Sequence, residues 1–279
     1  MTLALARPVS RLSLADDLLK TAAKLWFLVA VLGQWTFVYY IAAFYGPSTL
    51  TGNFAAWNKR DLIKGYVAGD HIGNLYFAAH VLMAGLITTS GALQLFPQIR
   101  ARAMTFHRWN GRLYIVTAFL MALGGLWMIW VRGTYLTLSG AVSSTILALL
   151  IMVFATMTVR EGMARRIHAH HRWALRTFLV VNAVWVQRLG YMAWMIMARG
   201  PVGVGDHMDG PFDYFLDFGK FVIPLAVLEI YLRARDQSGV AGKISVAATL
   251  FALTLLMGVG IVGAYLFMWR PGLLAVSAG

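Results

Sequence analysis

The sequence predicts an all-α integral membrane protein, a bundle of seven transmembrane helices with a cytoplasmic N-terminus and a C-terminus outside. Composition is the first reason, because 59% of the 279 residues are hydrophobic and only 13% are charged. Soluble domains contain about 45–50% apolar and about 25% charged residues. The second reason is a series of long apolar stretches, and the third is the alternation of positive charge between them. A chain this apolar could not cover its surface with polar groups in water, so we expect it to lie in lipid.

Seven stretches have the length and composition of membrane spans. They cover approximately residues 24–45, 72–95, 108–131, 138–158, 171–198, 212–233 and 244–268. A bilayer core of about 30 Å requires roughly 20 apolar residues in a helix. The stretches lack the alternating pattern of transmembrane strands. We therefore expect residues 24–279 to form a single seven-helix membrane domain.

Lys and Arg predict the orientation of these spans. Of the 24 basic residues, sixteen lie on the side of the N-terminus, seven lie on the opposite side, and Arg188 lies within a span. Cytoplasmic loops of membrane proteins carry the excess of Lys and Arg. The N-terminus is therefore expected inside and the C-terminus outside. In this setting the net charge of +13 reports orientation, and we expect no nucleic-acid partner.

Residues 1–23 are expected to form a cytoplasmic amphipathic segment on the inner membrane surface. The sequence from Ser13 to Asp16 resembles a helix-capping box, and apolar residues follow it. The first span is too long for the apolar region of a signal peptide and lacks an obvious cleavage site. The longest outer loop, 46–71, predicts either an interfacial helix or an irregular loop with an aromatic anchor.

The absence of cysteine excludes disulfides, thiolate metal sites, iron–sulfur clusters and cysteine nucleophiles. A bound metal or haem would depend on His, Met, Tyr or carboxylate ligands. Polar side chains inside the spans are therefore the first candidates for function, because they are costly in lipid.

His80, Gln187 and Arg188 are predicted at a similar depth in the outer half of the bundle. One interpretation is a cofactor, substrate or proton site, and the alternative is a polar clasp between helices. Neighbouring spans are expected to lack a carboxylate at this depth. A buried guanidinium needs acceptors, so we expect a non-protein ligand or ordered water beside Arg188 and His80.

A second set of polar residues lies at the cytoplasmic ends of the third and fifth spans. The triplet His-Arg-Trp occurs there twice, at 107–109 and at 171–173. Histidines on facing helices can hold a haem between them, and arginines can bind its propionates. The alternative is that basic residues flank the spans for topology alone. The candidate axial ligands are His107 and His171, with His170 as the alternative to His171, and the candidate propionate ligands are Arg108, Arg112, Arg172 and Arg176.

Two further patterns have simpler interpretations. The predicted outer loop contains Asp206, His207, Asp209, Asp213 and Asp217, which favours a solvated acidic loop over a cation site. Glu229 precedes Arg233 by four residues, a spacing that favours an ion pair within one helix.

Several motifs between residues 72 and 190 are shared with a known family. They are His80, the run Gly91-Ala92-Leu93-Gln94, Pro97, the segment 107–114 (HRWNGRLY) and the segment 171–176 (HRWALR). In these motifs the chain resembles a family of bacterial predicted membrane proteins, domain of unknown function 2306. This resemblance implies a multi-pass protein of the bacterial inner membrane and no established activity.

The stretch from His80 to Tyr114 is also distantly similar to the b561 class of haem cytochromes. That class holds two b haems between His pairs on alternate helices, so the likeness implies ligand roles for His80 and His107. The third and fifth spans carry His107 and His171, whereas the fourth span has no His. The likeness therefore favours one inner haem b over two, and the site near His80 would either need another ligand or hold a different group such as a quinone head group.

Two functions are compatible with these observations. The first is a b-type haem-binding membrane protein that transfers electrons and is linked to quinol, with His80, Gln187 and Arg188 at a second cofactor or quinone site. The second is a non-redox accessory subunit, or a protein that binds lipid or another hydrophobic ligand. Membrane lipid is a partner in both, and a homo-oligomer or a larger membrane complex is compatible with either.

The charge asymmetry makes a prediction about topology. A reporter that is active only outside the cytoplasm should be active when fused after residue 279 and inactive when fused after residue 165. A reporter that requires the cytoplasm should give the opposite pattern. A cytoplasmic C-terminus in this assay would mean that one span has been miscounted.

Overall fold

The computed structural model describes residues 11–58 and 65–277, and these residues are helical apart from short connections. The helices, in chain order, are α1 (Arg11–Leu50), α2 (His71–Leu95), α3 (Pro97–Arg102), α4 (Met104–Trp130), α5 (Leu138–Met163), α6 (Ile167–Val181), α7 (Ala183–Met197), α8 (Pro211–Gln237), α9 (Val240–Gly263) and α10 (Arg270–Ser277). A π-helical segment, Ala264–Trp269, joins α9 to α10. The predicted all-α fold is confirmed for the described part of the chain.

Five helical segments in the described ranges are long and apolar enough to cross a membrane. They are Arg11–Leu50, His71–Leu95, Met104–Trp130, Leu138–Met163 and Val240–Leu274. Their outward faces are apolar too, since Leu75 is 70% exposed and Leu255 is 74% exposed. Large apolar surfaces of this kind belong against lipid. The predicted fifth and sixth spans correspond to α6 with α7 and to α8, so the count of seven and the orientation of the termini stay predictions.

The predicted fifth span, 171–198, is two helices that meet at Asn182. The buried Asn182 side chain donates from Nδ2 to the Phe178 carbonyl oxygen over 2.8 Å, and its backbone N–H donates to the same oxygen over 3.2 Å. An Asn side chain that competes for a helical carbonyl in this way disturbs regular helix geometry. The chain resumes its helical bonding when Val186 donates to the Asn182 carbonyl.

The first helix is longer than its apolar stretch. It runs without a break for 40 residues, so described residues 11–23 continue directly into the predicted first span. Lys243 of α9 pairs with Asp16 near the beginning of α1. Residues 1–10 of the predicted amphipathic segment lie outside the described residues.

The outer loop contains the short helical segment that its sequence suggested. A 3₁₀ helix covers Phe54–Asn58, and its Trp57 is buried. The Trp57 ring lies 5.7 Å from the Phe77 ring of α2 and 6.5 Å from the Tyr45 ring of α1, between centroids. Aromatic contacts therefore attach the loop to both helices. Residues 59–64 of this loop lie outside the described residues.

Four helices, α2, α4, α5 and α6, pack in succession. Helix α2 packs on α4, α4 packs on α5, and α5 packs on α6, while α1 and α7 both pack on α9. Helices α4 and α6 thus share α5 as a neighbour. Their beginnings are at the same end of the bundle, which we call the inner end after the charge prediction; α8 begins at the opposite, outer end.

A salt bridge at the outer end joins the beginning of α2 to the end of α4. Asp70 caps α2 by accepting from the Gly73 N–H over 2.8 Å, and it accepts from Arg132 Nε over 2.8 Å. Arg132 also donates to the Asn74 side chain over 3.2 Å. The Gly73 N–H and then the Arg132 guanidinium hold the pKa of the Asp70 carboxyl below its usual range, so the cap persists under mildly acidic conditions.

Glycines allow α9 to approach α7 and α1 closely. A Cβ at Gly260 would lie 2.6 Å from the Leu189 carbonyl oxygen, and a Cβ at Gly33 would lie 2.5 Å from Ile261 Cδ1. Small residues permit this backbone approach between membrane helices, whose association depends on close packing. Trp185 and Leu189 fill a buried cluster between these helices.

We expect Gly260→Ala to destabilise the bundle, because a backbone oxygen cannot swing away as a flexible side chain can. Overpacking of this kind costs about 1–3 kcal/mol, which should lower the thermal unfolding midpoint in detergent. Gly258→Ala is the matched control, since nothing lies within 4 Å of a Cβ there. It should leave the midpoint unchanged or raise it, because Ala favours helix over Gly by about 0.5–1 kcal/mol. Equal losses in the two variants would contradict this packing argument.

Candidate functional site

Arg188 of α7 faces the aromatic side chains of α1. Its Nη1 donates to the Val184 carbonyl oxygen over 3.2 Å, and its guanidinium carbon lies 5.3 Å from the centre of the Phe37 ring. A cation over an aromatic face is stabilised by the ring quadrupole. Tyr40 and Tyr45 of α1 are also within electrostatic range of Arg188. A partner for Arg188 from outside the chain stays a prediction.

His80 of α2 lies on the same side of the bundle as Arg188. The two side chains are within electrostatic range of each other, and the buried Nδ1 of His80 has no hydrogen-bond partner within residues 11–58 and 65–277. A buried polar atom without a partner is costly. The structure thus brings His80 and Arg188 together, as the sequence suggested, and leaves one imidazole nitrogen available to a ligand.

Gln187 does not join this pair. Its Nε2 donates to Asp217 Oδ1 over 3.3 Å, and its Oε1 accepts from Lys220 Nζ over 3.3 Å. Adjacent residues on a helix point to different faces, so Gln187 reaches α8 while Arg188 reaches α1. The expectation that no carboxylate lies at this depth is wrong, because Asp217 is bonded to Gln187.

Gln187 belongs to a second, buried group of polar side chains, which we call the polar ladder. Lys220 Nζ also donates to Ser143 Oγ of α5 over 3.2 Å. One turn nearer the outer end on each helix, the Tyr191 hydroxyl donates to Asp213 Oδ1 over 2.6 Å. The ladder consists of Ser143 of α5, Gln187 and Tyr191 of α7, and Asp213, Asp217 and Lys220 of α8.

Asp213 occupies the outer end of the ladder and is fully bonded. Besides the Tyr191 hydroxyl, it accepts from the backbone N–H groups of Gly205 and Gly210, each over 2.8 Å. The interpretation of Asp213 and Asp217 as members of a solvated acidic loop is wrong, since both are buried in α8. Asp206, His207 and Asp209 do lie in the connection before α8.

Asp217 is not fully bonded. It is 6% exposed, and its Oδ2 has no hydrogen-bond partner among the described residues. Sequence reasoning missed the ladder because it treated charged residues near a span boundary as loop. The spacing of Asp213, Asp217 and Lys220, with steps of four and then three residues, was the signal that one helix face carries them all.

The inner end brings the predicted haem ligands into one region. His107 of α4 is within electrostatic range of His170, and His171 is within electrostatic range of both. The His107 backbone carbonyl accepts from Gln94 Nε2 over 3.1 Å, and the buried His107 Nδ1 has no hydrogen-bond partner in the described part of the chain. His171 is exposed.

His170 is held more firmly than His171. Its Nδ1 lies 2.9 Å from the Thr158 carbonyl oxygen of α5. Gly162 leaves room for the ring, since a Cβ there would lie 3.0 Å from His170 Nδ1. A carbonyl that accepts from Nδ1–H fixes the imidazole and leaves Nε2 as a lone-pair donor, which is the usual state of a metal-binding histidine.

Two of the four predicted propionate arginines already pair with protein carboxylates. Arg172 donates to Asp236 over 2.8 Å, and Arg176 donates through Nε to Glu229 over 2.8 Å. The expected pairing of Glu229 with Arg233 is therefore wrong, because Glu229 reaches across to α6 instead. Hydrogen bonds from Arg235, with Arg172 nearby, hold the pKa of Asp236 below its usual range.

The two His-Arg-Trp segments adopt the same local arrangement. Arg112 lies over the Trp109 ring at 4.7 Å, and Arg176 lies over the Trp173 ring at 4.7 Å. In each case an arginine stacks on the tryptophan three residues earlier, one helical turn away. Arg108 and Arg112 are exposed on α4 and therefore accessible to an anionic group at the inner end. No group of three or more His, Asp or Glu suited to a metal ion occurs within 11–58 and 65–277.

Residues 77–203 match the model of a family described as predicted membrane protein (DUF2306). This match confirms the resemblance that the motifs between residues 72 and 190 indicated. It spans α2 through α7 and so includes His80, Arg188 and the inner histidines. Comparison with curated proteins gives no match, and comparison with solved structures gives none either.

The ion pairs at the inner end predict which charges are energetically coupled. A double-mutant cycle with Arg176→Met and Glu229→Gln should give a coupling free energy of about 1 kcal/mol, since both groups are partly solvated. The same cycle with Arg233→Met in place of Arg176→Met should give a value near zero. Unfolding free energies measured in mixed detergent micelles test this, and coupling to Arg233 alone would contradict the described pairing.

Proposed function

We propose that this chain is a b-type haem-binding membrane protein that transfers electrons and is linked to quinol. The observation that carries the proposal is the position of His107 and His170 on α4 and α6, which both pack on α5, at one end of the bundle and within electrostatic range. A haem held between two helices needs one imidazole from each.

The residues at the inner end fit a haem in their chemistry. His170 has its Nδ1 bonded to the Thr158 carbonyl, which leaves Nε2 for an iron ion. His107 has a buried Nδ1 without a partner, so one of its nitrogens is uncommitted. His171, the expected ligand from the sequence, is exposed and lacks such an orienting bond in the described contacts, so we rank His170 first.

The arginines divide between two tasks in this proposal. Arg108 and Arg112 are exposed and suit propionate groups, because guanidinium binds carboxylate through paired hydrogen bonds. Arg172 and Arg176 are committed to Asp236 and Glu229. They act by holding α6 against α8, which fixes the helix that carries His170.

His80 and Arg188 would serve as the second site, for a quinone head group in the outer half. A haem b supplies one-electron redox chemistry when it is bound. At the other site, the unpartnered Nδ1 of His80 would exchange a hydrogen bond with a quinone oxygen. Arg188 would orient the second oxygen, since a guanidinium offers several donors.

An accessory role without redox chemistry is the second candidate. It is favoured by the two carboxylate partners of Arg172 and Arg176, which remove half of the predicted propionate ligands. In that case the inner arginines would bind anionic lipid head groups, to which basic residues near the membrane surface are attracted.

Absorption spectra decide between these candidates. Protein produced with ample haem should show b-type bands in reduced-minus-oxidised spectra, and His107→Ala and His170→Ala should each remove them. His171→Ala should retain them, because His171 lacks the orienting bond that His170 makes. His207→Ala, in the outer connection, is the matched control and should also retain them.

A colourless wild-type protein would reject the haem function and favour the accessory role. Loss of the bands in His171→Ala with retention in His170→Ala would keep haem but reverse the ligand assignment. Each variant should first elute as a single species from a sizing column, so that a folding failure is not mistaken for a lost ligand.

A further inference from the structure

The polar ladder lies apart from both sites used above. Its ionisable members lie on consecutive turns of one face of α8, from Asp213 to Lys220, which corresponds to about 10 Å along the helix. Gln187 and Tyr191, four residues apart, face them from α7. Two polar faces therefore meet along the interface of α7 and α8, from the outer end into the bundle.

A polar cluster that served only to join two helices would provide a hydrogen-bond partner for each of its buried polar groups. At its outer end the ladder does so, because Asp213 accepts three hydrogen bonds, from Tyr191, Gly205 and Gly210. Deeper in the bundle it does not, because Asp217 accepts one contact of 3.3 Å and its Oδ2 has no donor. A buried carboxylate oxygen without a donor is costly unless it is protonated or bonded to water.

The Asp217 carboxyl has Gly140 of α5 as a neighbour. A Cβ at Gly140 of α5 would lie 3.8 Å from Asp217 Oδ2 and 3.1 Å from Thr137 Oγ1. Lys220 Nζ uses two of its three donors, on Ser143 and Gln187. The Gln187 amide therefore lies between Lys220 and Asp217. Its oxygen accepts from Lys220 and its nitrogen donates to Asp217.

We propose that the polar ladder is a proton-binding site within the bundle, in which Asp217 takes up a proton from water and releases it to water. Uptake converts the carboxylate and a hydronium ion into a carboxylic acid and water, and release reverses this. Buried ionisable residues within membrane bundles are common in proton pathways. This inference goes beyond the haem function and does not require a haem.

The ionisable groups around Asp217 come from two helices. On α8 they are Lys220 and Asp213; on α7 they are the Tyr191 phenol and Arg188, which lies within electrostatic range of Lys220. Helix α5 contributes the uncharged Ser143, which accepts from Lys220.

Infrared difference spectroscopy of the purified full chain in lipid tests the proposal. A pH step should produce a carboxylic acid C=O band of a buried group, and D2O should shift it to lower wavenumber. Asp217→Asn should abolish this band. Asp213→Asn is the matched control and should retain it, because both Asp213 oxygens already accept hydrogen bonds whereas Asp217 Oδ2 accepts none from the described residues.

Asp217→Glu guards against a folding failure in Asp217→Asn. It keeps a carboxyl in the ladder and should return the band at a changed wavenumber. The proposal is overturned if no such band titrates in the wild type, if the band survives Asp217→Asn, or if only Asp213→Asn removes it. The infrared measurements do not depend on haem binding, so a failure of this proposal can be distinguished from a failure of the haem function.

Discussion

The structure depends on one constraint: a polar group inside an apolar bundle must find its partner within the protein, because lipid offers none. Hydroxyl groups meet this constraint locally, as Thr88 does by donating to the Ala84 carbonyl one turn earlier. Charged groups meet it between helices, through Asp70 with Arg132 at the outer end and Glu229 with Arg176 at the inner end. These pairs fix the ends of helices whose middle sections pack through small and apolar residues.

Departures from this constraint occur in each of the proposed sites. Among the described residues, the buried atoms His80 Nδ1, His107 Nδ1 and Asp217 Oδ2 have no hydrogen-bond partner, and they lie in three different polar groups. Gln187 and Arg188 separate two of these groups because adjacent residues point to different faces of α7, one into the polar ladder and the other towards the aromatic residues of α1. A single helix, α7, therefore borders two polar compartments that share no hydrogen bond in the described structure.

Much of the fold could be predicted because helix length and apolarity are properties of local sequence. The ranges of α2, α4 and α5 agree with the predicted stretches to within a few residues, and the inner grouping of His107, His170 and His171 follows from where the helices begin. The break at Asn182 was missed, because an Asn in an apolar run does not by itself reveal that its side chain will bond to the Phe178 carbonyl. The roles of Asp213, Asp217 and Lys220 were missed because their charge suggested a loop.

The sequence by itself determined that the chain is helical and belongs in a membrane, since composition and the length of apolar stretches do not depend on packing. Only the tertiary structure decided which charges are paired. Glu229 has an arginine four residues away on its own helix, yet it bonds to Arg176 of α6, because helix packing brings that guanidinium within 2.8 Å. Likewise the sequence alone does not show which of the adjacent His170 and His171 is oriented by a hydrogen bond. The contact of His170 Nδ1 with the Thr158 carbonyl oxygen of α5 distinguishes them. Partners distant in sequence are chosen by how helices pack, which no local pattern specifies.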